Sequence, residues 1–295
     1  MVKERTGYFP GSVNIGIVRG ESGAILIDSG LDTQTAKKIK KGLDEIGLKL
    51  SAIIQTHAHA DHFGGNSYLL TQFPEVQVYA PELEEAVIRY PILEPIYLMM
   101  GAAPLAELKN KFLLAEASRV DHLLPSSGTV TVDGVEMLIL PLPGHSWNQV
   151  GIVVDQICYA ADSFFGVETL KKHKLPFLVD AHETLLSLTR LLETRFEGYL
   201  PGHGSFERSI EEVVKQNIHC HRTLMDTIVH MLEAEELTME QGLAKLCSQM
   251  EMNVDNVTSY VLYRTAYMGY LVGLLREERI AYRFSDNCLL WSSLA

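Results

Sequence analysis

The sequence predicts an α/β chain with mixed sheets, followed by a smaller, mainly helical region, and three observations carry that expectation. Through roughly the first two hundred residues, short β-branched runs alternate with stretches of helical periodicity. Neighbouring runs are joined by tight turn signals of the hairpin kind, so the sheets are not purely parallel. After Gly204 the texture lengthens into extended helical patterns.

Taken in order, Val13–Val18 and Ala24–Ile27 flank a Gly-rich turn and read as a hairpin. Thr33 to Ile46 is lysine-rich with apolar residues at helical spacing, and Ala52-Ile53-Ile54 returns to a buried strand. Residues 82–119 form an apolar insertion whose prolines, Pro91 and Pro95, interrupt its helix. Val130 to Leu140 is two strands around Asp133-Gly134, and Gly151 to Ala161 is a second pair broken at Asp155-Gln156. Asp180 to Glu183 has the form of a capping box opening a helix, which makes His182 a bystander. Helical patterns then run over Ser209–Glu233, Thr238–Gln249 and Val254–Glu278. A terminal hairpin follows, with Ile280–Phe284 and Cys288–Trp291 around Ser285-Asp286-Asn287. Helices followed by a two-stranded wing give a winged-helix-like order, so the expected division is 1–207 and 208–295. No repeat of 20 to 50 residues and no low-complexity tract is present.

Composition narrows the function classes. At 295 residues and 47% hydrophobic content the chain can bury a large core, and no segment is long and apolar enough to cross a bilayer. Met1 to Tyr8 lacks the apolar core of a secretory signal, which makes the cytoplasm the expected compartment. The four cysteines, Cys158, Cys220, Cys247 and Cys288, have no CxxC spacing, against both a disulfide framework and a thiolate metal site. The net charge of −12 disfavours nucleic acid and anionic membrane as partners. From Arg208 onward, about eight Lys and Arg face about twelve Asp and Glu, so the C-terminal region reads as a packing or dimerisation module rather than a nucleic-acid reader. The expected partners are a small-molecule substrate and a second copy of the chain.

The chemistry concentrates in Gln55-Thr56-His57-Ala58-His59-Ala60-Asp61-His62-Phe63-Gly64-Gly65, directly behind the strand Ala52–Ile54. His57 and His59 are two apart, so on extended chain their side chains leave on one side and can share a cation. Asp61 and His62 are adjacent and cannot do so without a turn, which would let them face a second cation nearby. Imidazole and carboxylate ligands without thiolate suit zinc, iron or manganese. Each metal needs three or more protein ligands, and the others are sought on further strand ends: His145 in Pro143-Gly144-His145, Asp162 behind Ile157–Ala161, and His203 in Pro201-Gly202-His203. His122, His173, His219, His221 and His230 have no partner motif.

Thr56 to His62 together with Gly144-His145, Asp162 and Gly202-His203 resembles the metallo-β-lactamase superfamily in its full dinuclear form, over about residues 12 to 207. The resemblance implies a four-layer αββα sandwich with two divalent metal ions, zinc first, between the sheet edges. It assigns His57, His59 and His145 to one ion and Asp61, His62 and His203 to the other, with Asp162 bridging. Asp28, in Leu26-Ile27-Asp28-Ser29-Gly30, matches a position where a carboxylate orients a ligating histidine. Two such cations make a bridging hydroxide available near neutral pH as nucleophile, with Asp61 handling a proton as the intermediate collapses.

The expected reaction is hydrolysis of an ester, thioester or lactone. Two other readings stay open: a nuclease or phosphodiesterase, and a mononuclear iron oxygenase of the persulfide dioxygenase type using His57, His59, His145 or Asp162. His203-Gly204-Ser205 departs from the acidic residue and tyrosine that typically follow the last ligand in glyoxalase II and persulfide dioxygenases. Phe165 stands where the best-known acyl-homoserine lactonases carry a tyrosine. The Pro201-Gly202-His203-Gly204 form and the C-terminal region look more like β-lactamase-like hydrolases, among them a single-strand ribonuclease. Tyr97, Met99 and Met100 of the insertion, with Trp147, Phe164 and Phe165, are candidates for an apolar substrate wall over the metals.

Overall fold

A computed structural model describes residues 2–294. The first sheet holds β1 (Thr6–Phe9), β2 (Ile15–Arg19), β3 (Ala24–Ile27), β4 (Leu50–Ile54), β5 (Gln77–Pro81) and β6 (His122–Leu124), in that spatial order. β1, β2 and β3 pair antiparallel, and β3 to β6 pair parallel. The second sheet holds β7 (Gly128–Val132), β8 (Val135–Pro141), β9 (Val150–Val154), β10 (Ile157–Ala161) and β11 (Gly198–Pro201); it is antiparallel except for the parallel pair β10 and β11.

Strand periodicity makes the layers. Ile25 and Ile27 of β3 and Ala52 and Ile54 of β4 face the second sheet, meeting Met137, Ile139, Val150, Ile152 and Tyr159. The intervening Ala24, Leu26 and Ile53 face outward onto Ala36, Ile39 and Leu43 of helix α1 (Thr33–Glu45), whose start is capped by Asp32. On the other side Val153, Cys158 and Ala160 meet Leu188 and Leu191 of a later helix, Ala181–Glu193. The result is helix, sheet, sheet, helix, the four-layer arrangement expected. The two hairpin turns of the second sheet are as the sequence indicates: Asp133-Gly134 and Asp155-Gln156 have positive φ at both positions, as two-residue turns of the I′ kind require.

Between β4 and β5 run the single turn α2 (Ala60–Phe63) and α3 (Asn66–Gln72). The insertion carries α4 (Glu84–Arg89) and α5 (Leu93–Leu98), with Pro91 between them, and a 3₁₀ turn at Ala106–Leu108. After β10 come α6 (Val167–Lys172) and α7 (Ala181–Glu193), the latter capped by Asp180, which accepts the Glu183 N–H. Beyond β11 lie α8 (Glu211–Ala234), α9 (Met239–Gln249), α10 (Val257–Arg276) and the hairpin β12 (Ile280–Ser285) and β13 (Cys288–Ser293). One apolar core joins Leu178, Ala181 and Leu185, on and before α7, to Leu224, Ile228, Leu246, Tyr267, Tyr270 and Trp291 of the C-terminal region. The C-terminal helices therefore bury their apolar faces on the sandwich itself. Among the described residues no helix is long and apolar enough to cross a membrane.

Candidate metal centre and its cavity

Seven side chains from the connections after four strands converge at one edge of the sandwich. His57 and His59 follow β4, Asp61 and His62 lie on α2, and His145, Asp162 and His203 follow β8, β10 and β11. Three groups have their potential ligand atoms within 4.8 Å of one another: His57, His59 and His145; His57, His62 and Asp162; and Asp61, His62 and His203. The turn of α2 swings Asp61 and His62 to a second cluster beside the first. It is held close by the loop after β3, where Ser29 and Gly30 donate their N–H groups to the His62 carbonyl at 2.7 and 3.2 Å. A Cβ on Gly65 would lie 2.2 Å from the Ser29 carbonyl oxygen, so only glycine allows this contact. Gly202 plays the same part for His203, since a Cβ there would fall 2.1 Å from Asp162 Oδ1.

Hydrogen bonds fix which imidazole nitrogen each histidine offers. His62 Nδ1 donates to Asp28 Oδ2 at 2.7 Å, His145 Nδ1 to the Phe177 carbonyl at 3.0 Å, and His203 Nδ1 to the Ser12 carbonyl at 2.7 Å. His57 Nδ1 lies 3.0 Å from Thr56 Oγ1, whose hydroxyl in turn bonds Asp28. Each of these four rings thus keeps Nε2 for the cluster. His59 is the exception: its Nδ1 faces inward, 2.8 Å from His145 Nε2. Asp28 adopts φ 65° and also accepts the Thr56 N–H at 2.9 Å, and Ala161, just before Asp162, has φ 49°. Such left-handed, non-glycine backbone is costly and is held here by the structure around it.

The donor set fits divalent cations. Among the described residues His57 Nε2, His62 Nε2 and Asp162 Oδ1 are buried without a hydrogen-bond partner, the last two facing each other at 3.4 Å, a cost of roughly 1–3 kcal/mol per unmet group. The charges differ across the site. Burial, with His145 and other imidazoles nearby, brings His59 down to about 3, and burial likewise lowers His57 and His145, so this trio is neutral. The Asp162 carboxylate raises His203 to about 10, and His62 is held well above the ordinary range, its burial outweighed by Asp162, Asp28 and Asp61. Burial opposes ionisation of Asp61, but His62 and His203 bring its carboxyl down to about 2.

Above the cluster opens a cavity of about 360 Å³. Its floor is His59, Asp61, His145, Asp162 and His203, and its apolar wall is Phe112, Leu113, Phe165, Leu170, Pro176, Phe177 and Leu262. Of the six wall residues anticipated from sequence, Phe165 lines this cavity. Tyr97 and Trp147 line a separate recess of about 30 Å³ beside His59. Phe164 is buried in the core behind α7, because the chain turns after Asp162 and presents its neighbour instead. Met99 packs in a side cluster with Leu98, Leu108 and Val261, while Met100 ends α5 in a left-handed turn and is 73% exposed. The insertion does reach the cavity, through Glu94, Phe112 and Leu113 rather than through its methionines.

Three supporting residues escaped the sequence reading. Glu84 accepts the Ala58 N–H at 2.9 Å, the Ser146 hydroxyl at 2.7 Å and the Asn148 N–H at 2.9 Å, tying the His57–His59 loop to the His145 loop. Asn217 of α8 bonds both backbone groups of Phe165, each at 2.9 Å. Arg264 of α10 donates to the Leu98 carbonyl at 2.7 Å and anchors the insertion. None belongs to a local motif: Glu84 and Asn217 stand among other polar residues, and Arg264 is one charge in an apolar helix.

The sequence profile of the metallo-beta-lactamase superfamily matches residues 8–203, and the chain belongs to that superfamily. A hydroxyacylglutathione hydrolase from Crocosphaera subtropica is 43% identical over 58 residues, 20% of this chain and 23% of that one. One from Xanthomonas campestris pv. campestris (strain B100) is 26% identical over 175 residues, 58% of this chain and 54% of its own, so the chain spans about half the length of that relative. The crystal structure of a metallo-beta-lactamase family protein from Thermus thermophilus superposes with a TM-score of 0.73 at 16% identity, covering 98% of this chain and 97% of that one. The shared fold therefore includes the C-terminal helices.

Proposed function

We propose that this protein is a dinuclear metal-dependent hydrolase of an ester, thioester or lactone with an apolar portion. The observation that carries the reading is Asp162 lying 3.4 Å from His145 of one ligand group and from His62 and His203 of the other, with buried Nε2 and carboxylate oxygen atoms, directly beneath an apolar cavity. His57, His59 and His145 would hold one ion, Asp61, His62 and His203 the other, and Asp162 both. Such a pair of cations would supply Lewis-acid polarisation of a carbonyl and hydroxide near neutral pH. Asp28, the Phe177 carbonyl and the Ser12 carbonyl hold the rings in the ligating orientation. Asp61, whose Oδ2 is 3.3 Å from His203 Nε2 at the cavity floor, takes and returns a proton. Phe112, Phe165, Phe177 and Leu262 exclude water and bind the apolar part of the substrate.

Support comes also from the relatives, which are named as hydrolases of hydroxyacylglutathione, a thioester. A polyanionic nucleic-acid substrate is disfavoured because among the described residues no lysine or arginine lines the cavity and the chain carries −12. The test is metal analysis of the purified protein beside a panel of ester, thioester, lactone and phosphodiester substrates. About two zinc or other divalent ions per chain with carboxylic ester or thioester turnover is expected. One iron per chain with oxygen uptake, or turnover of phosphodiesters alone, would overturn the reading.

A further inference from the structure

Among the described residues Glu94, on α5, is the one carboxyl group of the cavity wall outside the seven-residue cluster. It is 3% exposed, and among the described residues no hydrogen bond or ion pair reaches its carboxyl. The neighbouring buried carboxylate, Glu84, shows what a structural role looks like, with three donors aimed at it. A buried carboxyl without a partner is destabilising, and it is retained most readily where a ligand completes its hydrogen bonding. The cavity it opens onto is lined by Phe112, Leu113, Phe177 and Leu262 and also by the polar Thr169 and His173, but among the described residues none of them hydrogen-bonds to Glu94, which leaves its carboxyl open to a partner that arrives with the substrate.

Resting on the hydrolase reading above, we propose that Glu94 is a specificity-determining residue that recognises a hydroxyl or amide group on the substrate, set apart from the scissile carbonyl. A neutral group fits better than an ammonium, because the substrate would lie over a floor built to hold two cations. Burial, with the negative charges of Asp61 and Glu84, also holds the Glu94 carboxyl well above the usual range, which suits exchange of a hydrogen bond with a neutral hydroxyl.

The test uses the zinc-loaded enzyme and two sets of matched thioesters. In each set one methyl group is replaced by hydroxyl or by ammonium, on the acyl chain in one set and on the leaving thiol in the other. The expected result is a preference for the hydroxyl member over the methyl member, in at least one set, of about tenfold or more in kcat/KM. Glu94→Leu should bring that ratio to about one by raising activity on the methyl member, and Glu94→Gln should keep most of it. A wild-type enzyme that favours the methyl or ammonium member in both sets overturns the proposal. So does a Glu94→Leu enzyme in which all members fall in parallel with the ratio unmoved, since that is the signature of a structural role. Failure of the wild-type enzyme to cleave any ester, thioester or lactone would instead overturn the hydrolase reading itself, which separates the two.

Discussion

The floor of the cavity is made of residues on connections that follow strands, from His59 behind β4 to His203 behind β11, whereas its roof gathers Glu94, Phe112, Phe177 and Leu262 from an insertion, a loop and a C-terminal helix. Floor residues are placed by short-range backbone geometry: strand ends, a one-turn helix and glycines that permit close approach. Roof residues are placed by distant partners, such as Arg264 holding the Leu98 carbonyl and Asn217 holding Phe165. A scaffold that fixes its reactive edge rigidly while assembling its roof from variable pieces can change substrate without disturbing the chemistry.

The sharpest way to break that contrast is a floor substitution. His59→Ala should reduce hydrolysis to background and lower the bound metal while leaving a cooperative thermal transition, because it removes a ligand from a loop and not a packing residue from the core. Leu262→Ala in the roof should alter the ranking of substrates and leave metal content unchanged. Retained activity with full metal content in His59→Ala would remove His59 from the proposed ligand set.

This division also explains what could be read from sequence. The candidate metal motif was legible because His57 and His59 stand two apart on extended chain and Asp61 and His62 follow on a turn closed by Gly64-Gly65, so these four side chains come close through local geometry. The hairpins were legible from Asp133-Gly134 and Asp155-Gln156, whose turn type demands those residues. The roof was not legible. An apolar run such as Tyr97-Leu98-Met99-Met100 states that something is buried, but which residue meets the cavity depends on where α10 lies against α5. Glu84, Glu94 and Asn217 gave no signal, because one polar residue has no period: the partners of Glu84 are 26 to 64 residues away, that of Asn217 is 52 away, and among the described residues Glu94 has none.

A pH experiment sharpens the comparison from the roof's supporting side. His221 of α8 is buried with Nδ1 2.8 Å from the Tyr270 hydroxyl, and burial, with His145 adding to it, depresses its imidazole to about 4. In the unfolded chain the value is about 6.5, so the unfolded state binds the additional proton between these two values. The contribution is fully present above about pH 6.5 and is lost as pH falls towards about 4, at most about 3 kcal/mol. His221→Phe removes the titration at the cost of the Tyr270 bond, so it should be less stable than wild type at pH 8, with the gap narrowing below pH 6.5. Denaturation midpoints across pH measure this, and a gap independent of pH would show that His221 titrates alike in both states.

A smaller effect is expected where α8 holds the roof by two bonds. Asn217→Ala should cost about 1–3 kcal/mol by leaving the Phe165 backbone groups unpaired in a buried place. Because Phe165 lines the cavity and ligates nothing, KM should rise more than kcat falls and metal content should not change. Equal loss of metal and turnover would mean that the α8 contact supports the floor as well.

The smallest expected effect belongs to the residue that sequence made most conspicuous. Met100 follows Met99 in an apolar run, yet it is 73% exposed at the end of α5 with φ 55°, directed away from the cavity that Phe112, Leu113 and Leu262 line. Met100→Ala removes little buried surface, so its change in stability should stay within about 0.5 kcal/mol and the acyl-chain-length profile should be that of wild type. Met99→Ala, by contrast, opens the cluster of Leu98, Leu108 and Val261 and should lower the melting temperature while keeping the same profile, because the lost contacts lie behind the wall. Leu262→Ala alone of the three should flatten the preference for longer chains, since it deletes apolar surface worth about 25 cal/mol per Å² from the wall itself. A profile altered by Met100→Ala would mean that α5 turns over when substrate binds, bringing the roof's exposed edge onto the floor.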